Sequence, residues 1–143
     1  MLRFSTDPAD LDVVLIHDFL GRHSYWAAGI PRPTLERALA NSLCIGGYLG
    51  ERQVAFARAV TDQATFAYIA DVFVLDEFRG QGHGRAIVQA LLADPRLQGL
   101  RRMHLVTRDM HQLYRGLGFS ELAQPEQHMQ KHDPDVYRRP TPA

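Results

Sequence analysis

With 143 residues, 45% of them hydrophobic, the chain has the size and composition of a single globular domain and no room for a second. Sixteen basic residues balance sixteen acidic ones, and this formal net charge of +0 argues against nucleic acid or a membrane surface as partner. No apolar run approaches the roughly 20 residues of a membrane span, and the first residues lack the apolar centre of a secretory leader, so a cytoplasmic location is expected by default.

Asp7-Pro8-Ala9-Asp10 reads as a helix start, with a cap, a proline in the first turn and an acid three residues after the cap. Leu11, Val14, Leu15 and Phe19 continue at helical spacing, and Gly21 is expected to end the helix. The segment from His23 to Pro33 is a loop rich in aromatics, glycine and proline, and Leu35, Ala38 and Leu39 mark a second short helix. From Leu43 the period becomes that of strands. Leu43–Leu49 and Gln53–Val60 flank a turn at Gly50-Glu51-Arg52, and Phe66–Val74 follows a turn at Thr61-Asp62-Gln63. A helix is predicted from Gly82 to Ala93, stopped by Asp94-Pro95. A strand at Met103–Thr107 follows, then a short helix opened by Asp109-Met110-His111-Gln112 as its cap and closed by Gly116 and Gly118. One or two late strands are expected in the polar tail beyond Gln124. Hairpins plus one strand–helix–strand crossover define an α+β, three-layer fold, with a mixed, mostly antiparallel central sheet flanked by helices on both faces.

The most informative stretch runs Val72-Phe73-Val74-Leu75-Asp76-Glu77-Phe78-Arg79-Gly80-Gln81-Gly82-His83-Gly84-Arg85. A buried strand enters a glycine-rich turn that opens a helix. Such a turn leaves backbone N–H groups free at the positive end of the helix, and glycines keep Cβ atoms out of the way of a pyrophosphate. A dinucleotide fingerprint is excluded, because the third glycine counted from Gly80 and Gly82 is Arg85. A Walker loop is excluded too, because the only lysine, Lys131, follows no such turn. On this loop alone a tight turn with no ligand stays open.

The stretch Arg79-Gly80-Gln81-Gly82-His83-Gly84 matches the Q/R-x-x-G-x-G/A signature, and Leu113-Tyr114-Arg115-Gly116-Leu117-Gly118-Phe119 resembles an L-Y-x-x-x-G-F segment. With a helix and a strand between them, these two motifs resemble the GCN5-related N-acetyltransferase (GNAT) superfamily, in its small bacterial form. The resemblance implies that residues 1–143 form one GNAT domain. It implies acetyl-CoA as co-substrate and direct transfer of the acetyl group to a primary amine of a small molecule or peptide. It places the cofactor on Val72, Phe73, Val74, Arg79, Gly80, Gln81, Gly82, His83, Gly84, Arg85 and Thr107. Thr107 stands where many members have Asn, and Met110 where a small Ala is common. The family position of the acid that protonates the departing thiolate falls on Tyr114, and the oxyanion donor on a backbone N–H near Val74 of a strand that splays from its neighbour. A homodimer is left open. A non-catalytic acyl-CoA sensor on the same fold is the alternative reading.

Asp71 is the one charge inside the apolar central strand, and a charge there needs a partner or a purpose. Alternation puts Asp71 and Phe73 on one face, Val72 and Val74 on the other. Three roles stay open for Asp71: base through water, anchor for a cationic acceptor, or structural ion pair with Arg58. The early loop supplies Tyr25, Trp26 and Ile30, either as an acceptor wall or as the loop's own hydrophobic anchor, and Asp62 lies near the pocket mouth or makes an Asx turn. Cys44 reads as a small buried hydrophobe. His128 and His132 have ligand-like spacing but no third ligand, so no metal is expected.

Overall fold

The computed structural model describes residues 1–140. Five strands, β1 (Arg3–Ser5), β2 (Leu43–Leu49), β3 (Arg52–Thr61), β4 (Phe66–Val74) and β5 (Arg102–His104), lie side by side in chain order. The first four pair antiparallel and β5 joins β4 in parallel, so the sheet is mixed and mostly antiparallel as the sequence implies. Helices α1 (Val13–Asp18) and α2 (Arg32–Ala40) cover one face and α3 (His83–Leu92) the other. A short helix, α4 (His111–Arg115), follows β5, and Tyr114, Leu117 and Phe119 of that region pack against the α3 side. No helix among the described residues is long and apolar enough to cross a membrane.

The sequence explains why each layer fits. Along β3, Ala55, Ala57 and Ala59 point to α3 and join Ile87, Val88 and Leu91 in one buried cluster. This row of methyl groups lets the helix settle close to the sheet. Gly47 of β2 completes the flat bed, since a Cβ there would lie 3.3 Å from Ile87 Cδ1 and 3.2 Å from the Ala55 Cβ. The opposite face is built around Phe56, buried among Ile16, Phe19, Leu20, Leu35 and Phe73. Phe19 stacks on Phe73 with centroids 4.1 Å apart, and Phe56 lies 5.7 Å from the same ring. Both polar atoms of the buried Gln53 amide are engaged, Oε1 accepting from Asp12 N at 2.8 Å and Nε2 donating to Ala55 O at 3.1 Å.

Several expected boundaries move for local reasons. Asp7 does act as a cap, accepting from Ala9 N at 2.9 Å, but of a separate 3₁₀ turn at Pro8–Asp10. Helix α1 has its own cap in Asp12, which accepts from Leu15 N. Gly21 does not end it: the chain winds on through a wider turn at Phe19–His23, where Gly21 O accepts from Gly29 N and Ser24 Oγ donates to Leu20 O. The strand expected at Met103–Thr107 shortens to Arg102–His104, because β4 pairs with it only over Phe66–Tyr68. Asp109 does not cap α4. Thr107 Oγ1 accepts from Met110 N at 3.0 Å instead. Late strands are not found among the described residues. The tail makes only 3₁₀ turns at Pro125–Gln127 and Val136–Arg138, and Tyr137 packs back against the Phe56 cluster.

Truncating Phe56, which is 0% exposed, removes the ring on which α1 and β4 both rest. Phe56→Ala is expected to cost about 3–5 kcal/mol, read as a lowered urea midpoint at unchanged slope. A shift under about 1 kcal/mol would mean that the Phe19–Phe73 stack holds this face without Phe56.

Candidate active site

Strand β4 carries an extra residue. Between the register pairs Phe56–Phe73 and Arg58–Ala70, β3 advances two residues while β4 advances three. Asp71 is at this bulge with a left-handed backbone, φ 56°. Ala67 and Ile69 face α3 before the bulge, whereas Phe73 faces the α1–α2 side after it and Val74 faces α3. Strict alternation from Ile69 would have sent Asp71 and Phe73 toward α3. The bulge turns both the other way, so the pairing of Asp71 with Phe73 holds although the alternation does not extend back to Ile69.

Both carboxylate oxygens of Asp71 are engaged there. Arg58 Nε donates to Oδ2 at 2.8 Å and Trp26 Nε1 donates to Oδ1 at 2.8 Å. The two side chains are 16% and 8% exposed, so the Arg58–Asp71 pair is largely shielded from water. Arg58 Nη1 also donates to Ser42 Oγ. Of the three roles left open, the geometry supplies the ion pair, and it adds a link to the loop between α1 and α2 that the sequence did not reveal.

Beyond Val74 the chain passes a 3₁₀ turn at Asp76–Phe78 and reaches Gly80 and Gly82, whose φ values of 78° and 81° favour glycine. A Cβ on either would meet nothing within 4 Å, so the space above the loop is open to a ligand. No side chain among the described residues caps the N-terminus of α3, whose first N–H groups therefore stay available to an anion. Arg79 turns back to Val74 O at 3.3 Å and to Asp76. Arg85 reaches Gly116 O at 3.2 Å and ties α3 to the end of α4. Gln81 is exposed, and the Nε2 of half-buried His83 has no partner among the described residues. A Cβ on Gly84 would lie 3.8 Å from Val74 Cγ2 and 4.0 Å from Leu113 Cδ1, so the start of α3, the end of β4 and the start of α4 meet there.

Tyr114 is next to that junction. Its ring packs edge-on against Phe119 at 5.9 Å, and burial, helped by the nearby Tyr25, pushes its phenol above the usual tyrosine value. Because β5 pairs with β4 only as far as Tyr68–His104, the β4 edge from Ile69 to Val74 has no strand beside it among the described residues. Tyr25 and Trp26, 52% and 43% exposed, meet edge-on at 5.1 Å, and Trp26 is tied to Asp71 on this stretch. Arg108, just before α4, stacks its guanidinium on Tyr25 at 3.7 Å. Sequence spacing gave no sign of Arg108, nor of Tyr68, whose ring stacks on His104 at 5.8 Å. An open cavity of about 870 Å³ lies on the far side of β5, lined by Tyr114, His104, His128 and Met129 among others.

Other sequence candidates are placed elsewhere. Ile30 is buried in the core and its carbonyl meets His17 Nε2 at 2.9 Å. The carboxylate of Asp62 is spent on its own turn, accepting from the backbone of Ala64, Thr65 and Phe66 and from Thr65 Oγ1, which holds it well below the usual carboxylate range. Thr107 uses its hydroxyl at the start of α4. Burial raises the Cys44 thiol to about 11, so it is no thiolate near neutrality.

A mixed sheet thus opens beside a glycine-rich helix start, with a tyrosine at the junction. The chain matches the acetyltransferase (GNAT) family over residues 9–119. It is 46% identical to a GNAT-family protein of Xanthomonas campestris pv. campestris, whose crystal structure superposes with a TM-score of 0.94 over 97% of this chain and 98% of that one. It is 36% identical over 140 residues to a Gibberella zeae protein assigned as an acetyltransferase, covering 82% of this chain and 78% of that protein. A Clostridium acetobutylicum protein solved with acetyl-CoA shares the fold at 14% identity and a TM-score of 0.66, over 91% of this chain and 100% of that one. The chain belongs to the GNAT family and is an acetyl-CoA-dependent N-acetyltransferase.

Substitutions at two positions probe this geometry. Gly82→Asp and Gly82→Asn strain the backbone alike, but only Asp adds negative charge at the helix start. Calorimetry should show CoA binding weakened at least about tenfold more by Asp than by Asn, and equal affinities would place the pyrophosphate elsewhere. Asp71→Asn leaves the shielded Arg58 without its counter-charge, and should lower stability by about 3 kcal/mol. An unchanged melting temperature would show that the pair contributes nothing net.

Proposed function

We propose that this chain transfers the acetyl group of acetyl-CoA directly to a primary amine of a small molecule or peptide, with both substrates bound together, and that residues 1–143 work as one catalytic domain. The observation that carries this reading is the meeting at Gly84 of the α3 start, the β4 end and the α4 start, which brings an anion site, a free strand edge and Tyr114 to one place.

When bound, acetyl-CoA supplies a thioester whose carbonyl carbon is attacked by the amine. The uncapped N–H groups of α3 hold the pyrophosphate, and Gly80 and Gly82 let the backbone approach it. A backbone N–H on the unpaired β4 edge, within Val72–Val74, donates to the oxygen as negative charge develops on it. The Tyr114 hydroxyl gives its proton to the departing sulfur. Asp71, with both oxygens taken, acts as a positioning residue: through Trp26 it fixes the loop that covers the acceptor. The amine loses its proton to water at the open mouth.

Tyr114→Phe tests the reading by thiol release from acetyl-CoA. The expected loss is about 10²–10⁴-fold in kcat, with acetyl-CoA affinity nearly kept. Because burial raises Tyr114, its proton is retained to higher pH, and kcat should hold until the pH passes the ordinary tyrosine value of about 10. A Tyr114→Phe enzyme with unchanged kcat would remove this acid from the mechanism. Tight CoA binding with no turnover of any amine would instead favour a sensor.

A further inference from the structure

The charged groups around the open end of β4 are unevenly used. Asp71 gives one oxygen to Arg58 and the other to Trp26, and so offers no anion to an incoming cation. Arg58 directs Nε at Asp71 and Nη1 at Ser42. Asp18 faces Arg22 and His23, Asp62 is enclosed in its turn, and Glu121 pairs with Arg115. Arg108 differs from all of these. It is exposed, it lies flat over Tyr25 at 3.7 Å, and it has no carboxylate partner among the described residues, its neighbour Asp109 included. Stacking uses the face of a guanidinium and leaves its N–H edge open. That planar edge matches a carboxylate with two parallel hydrogen bonds. The ring beneath Arg108 belongs to Tyr25, which meets Trp26 edge-on at 5.1 Å, and the Trp26 indole donates to Asp71 on the open stretch of β4. A free cation thus stands beside the place where the amine must react.

We propose that the acceptor is an amine that also carries a carboxylate, and that Arg108, stacked on Tyr25, selects it by binding that carboxylate through its open edge. This rests on the N-acetyltransferase reading above and narrows its acceptor. Amines with a second cationic group, such as diamines, meet Arg108 as a like charge and find Asp71 already neutralised.

The test is acceptor kinetics by thiol release for the whole chain and for Arg108→Gln. Glycine, β-alanine, 4-aminobutyrate and glycylglycine separate free amino acids from a peptide end and vary the amine–carboxylate spacing. Their methyl esters and 1,4-diaminobutane serve as comparisons. The expected result is turnover of at least one acid in preference to its ester and to the diamine. Arg108→Gln should then raise KM for that acid about 10–100-fold, and the loss should appear in KM rather than kcat. An Arg108 that merely pins Tyr25 would shift acid and ester alike, and that result overturns the proposal. Better turnover of the diamine or esters than of the acids also overturns it, while leaving acetyl transfer intact. If no amine releases thiol, the transferase reading fails on its own. Calorimetry of the four acids with the CoA-loaded protein then decides this inference: binding lost in Arg108→Gln sustains it, and no binding overturns it.

Discussion

One extra residue in the central strand organises this molecule. The bulge at Asp71 reverses which face the end of β4 presents, and it swings Phe73 from the α3 side to the α1–α2 side. A left-handed backbone costs an Asp residue about 1–2 kcal/mol. Burying Phe73 against Phe19 and Phe56 contributes about 1.5–3 kcal/mol, and the bonds from Arg58 and Trp26 hold the carboxylate in its turned position. Packing therefore outweighs the backbone strain. The same stretch of β4 is not paired with β5, whose ladder ends at Tyr68–His104, so this strand edge stays open.

The site is assembled from weak electrostatic elements placed together. An uncapped helix start supplies partial positive charge, a strand edge supplies N–H donors, and a half-buried phenol keeps its proton. The one carboxylate inside the sheet is neutralised by Arg58, so the field at the mouth is set by Arg108 on its tyrosine platform. Two loops far apart in sequence, one before α2 and one before α4, meet through this stack. Small residues do the corresponding work on the other face, where alanines on β3 and Gly47 bring α3 close enough for its N-terminus to meet the end of β4 at Gly84.

Much of this was legible in the chain itself. The strand over Phe66–Val74, the helix after Gly82 and the β2–β3 hairpin follow from patterning and turn chemistry, which are local properties. Gly80 and Gly82 announced an open turn because their backbone conformation excludes most side chains, and Tyr114 was marked by the resemblance of Leu113–Phe119 to the family segment. Asp71 stood out because a lone charge in an apolar strand always has a reason. Its reason was not legible: the ion pair with Arg58 depends on register across two strands, and the bond from Trp26 on a loop 45 residues away. The bulge left no local mark either, since Asp tolerates a left-handed turn without requiring one. Arg79 and Arg85 looked like phosphate ligands by position, yet tertiary contacts gave each a backbone carbonyl. The late strands failed for the converse reason, because a strand forms only where an edge accepts it, and β5 ends after three residues. Local stereochemistry and period thus determined most of the elements and the glycine-rich turn, whereas tertiary pairing of side chains decided which charges were spent and which, at Arg108, stayed without a carboxylate among the described residues.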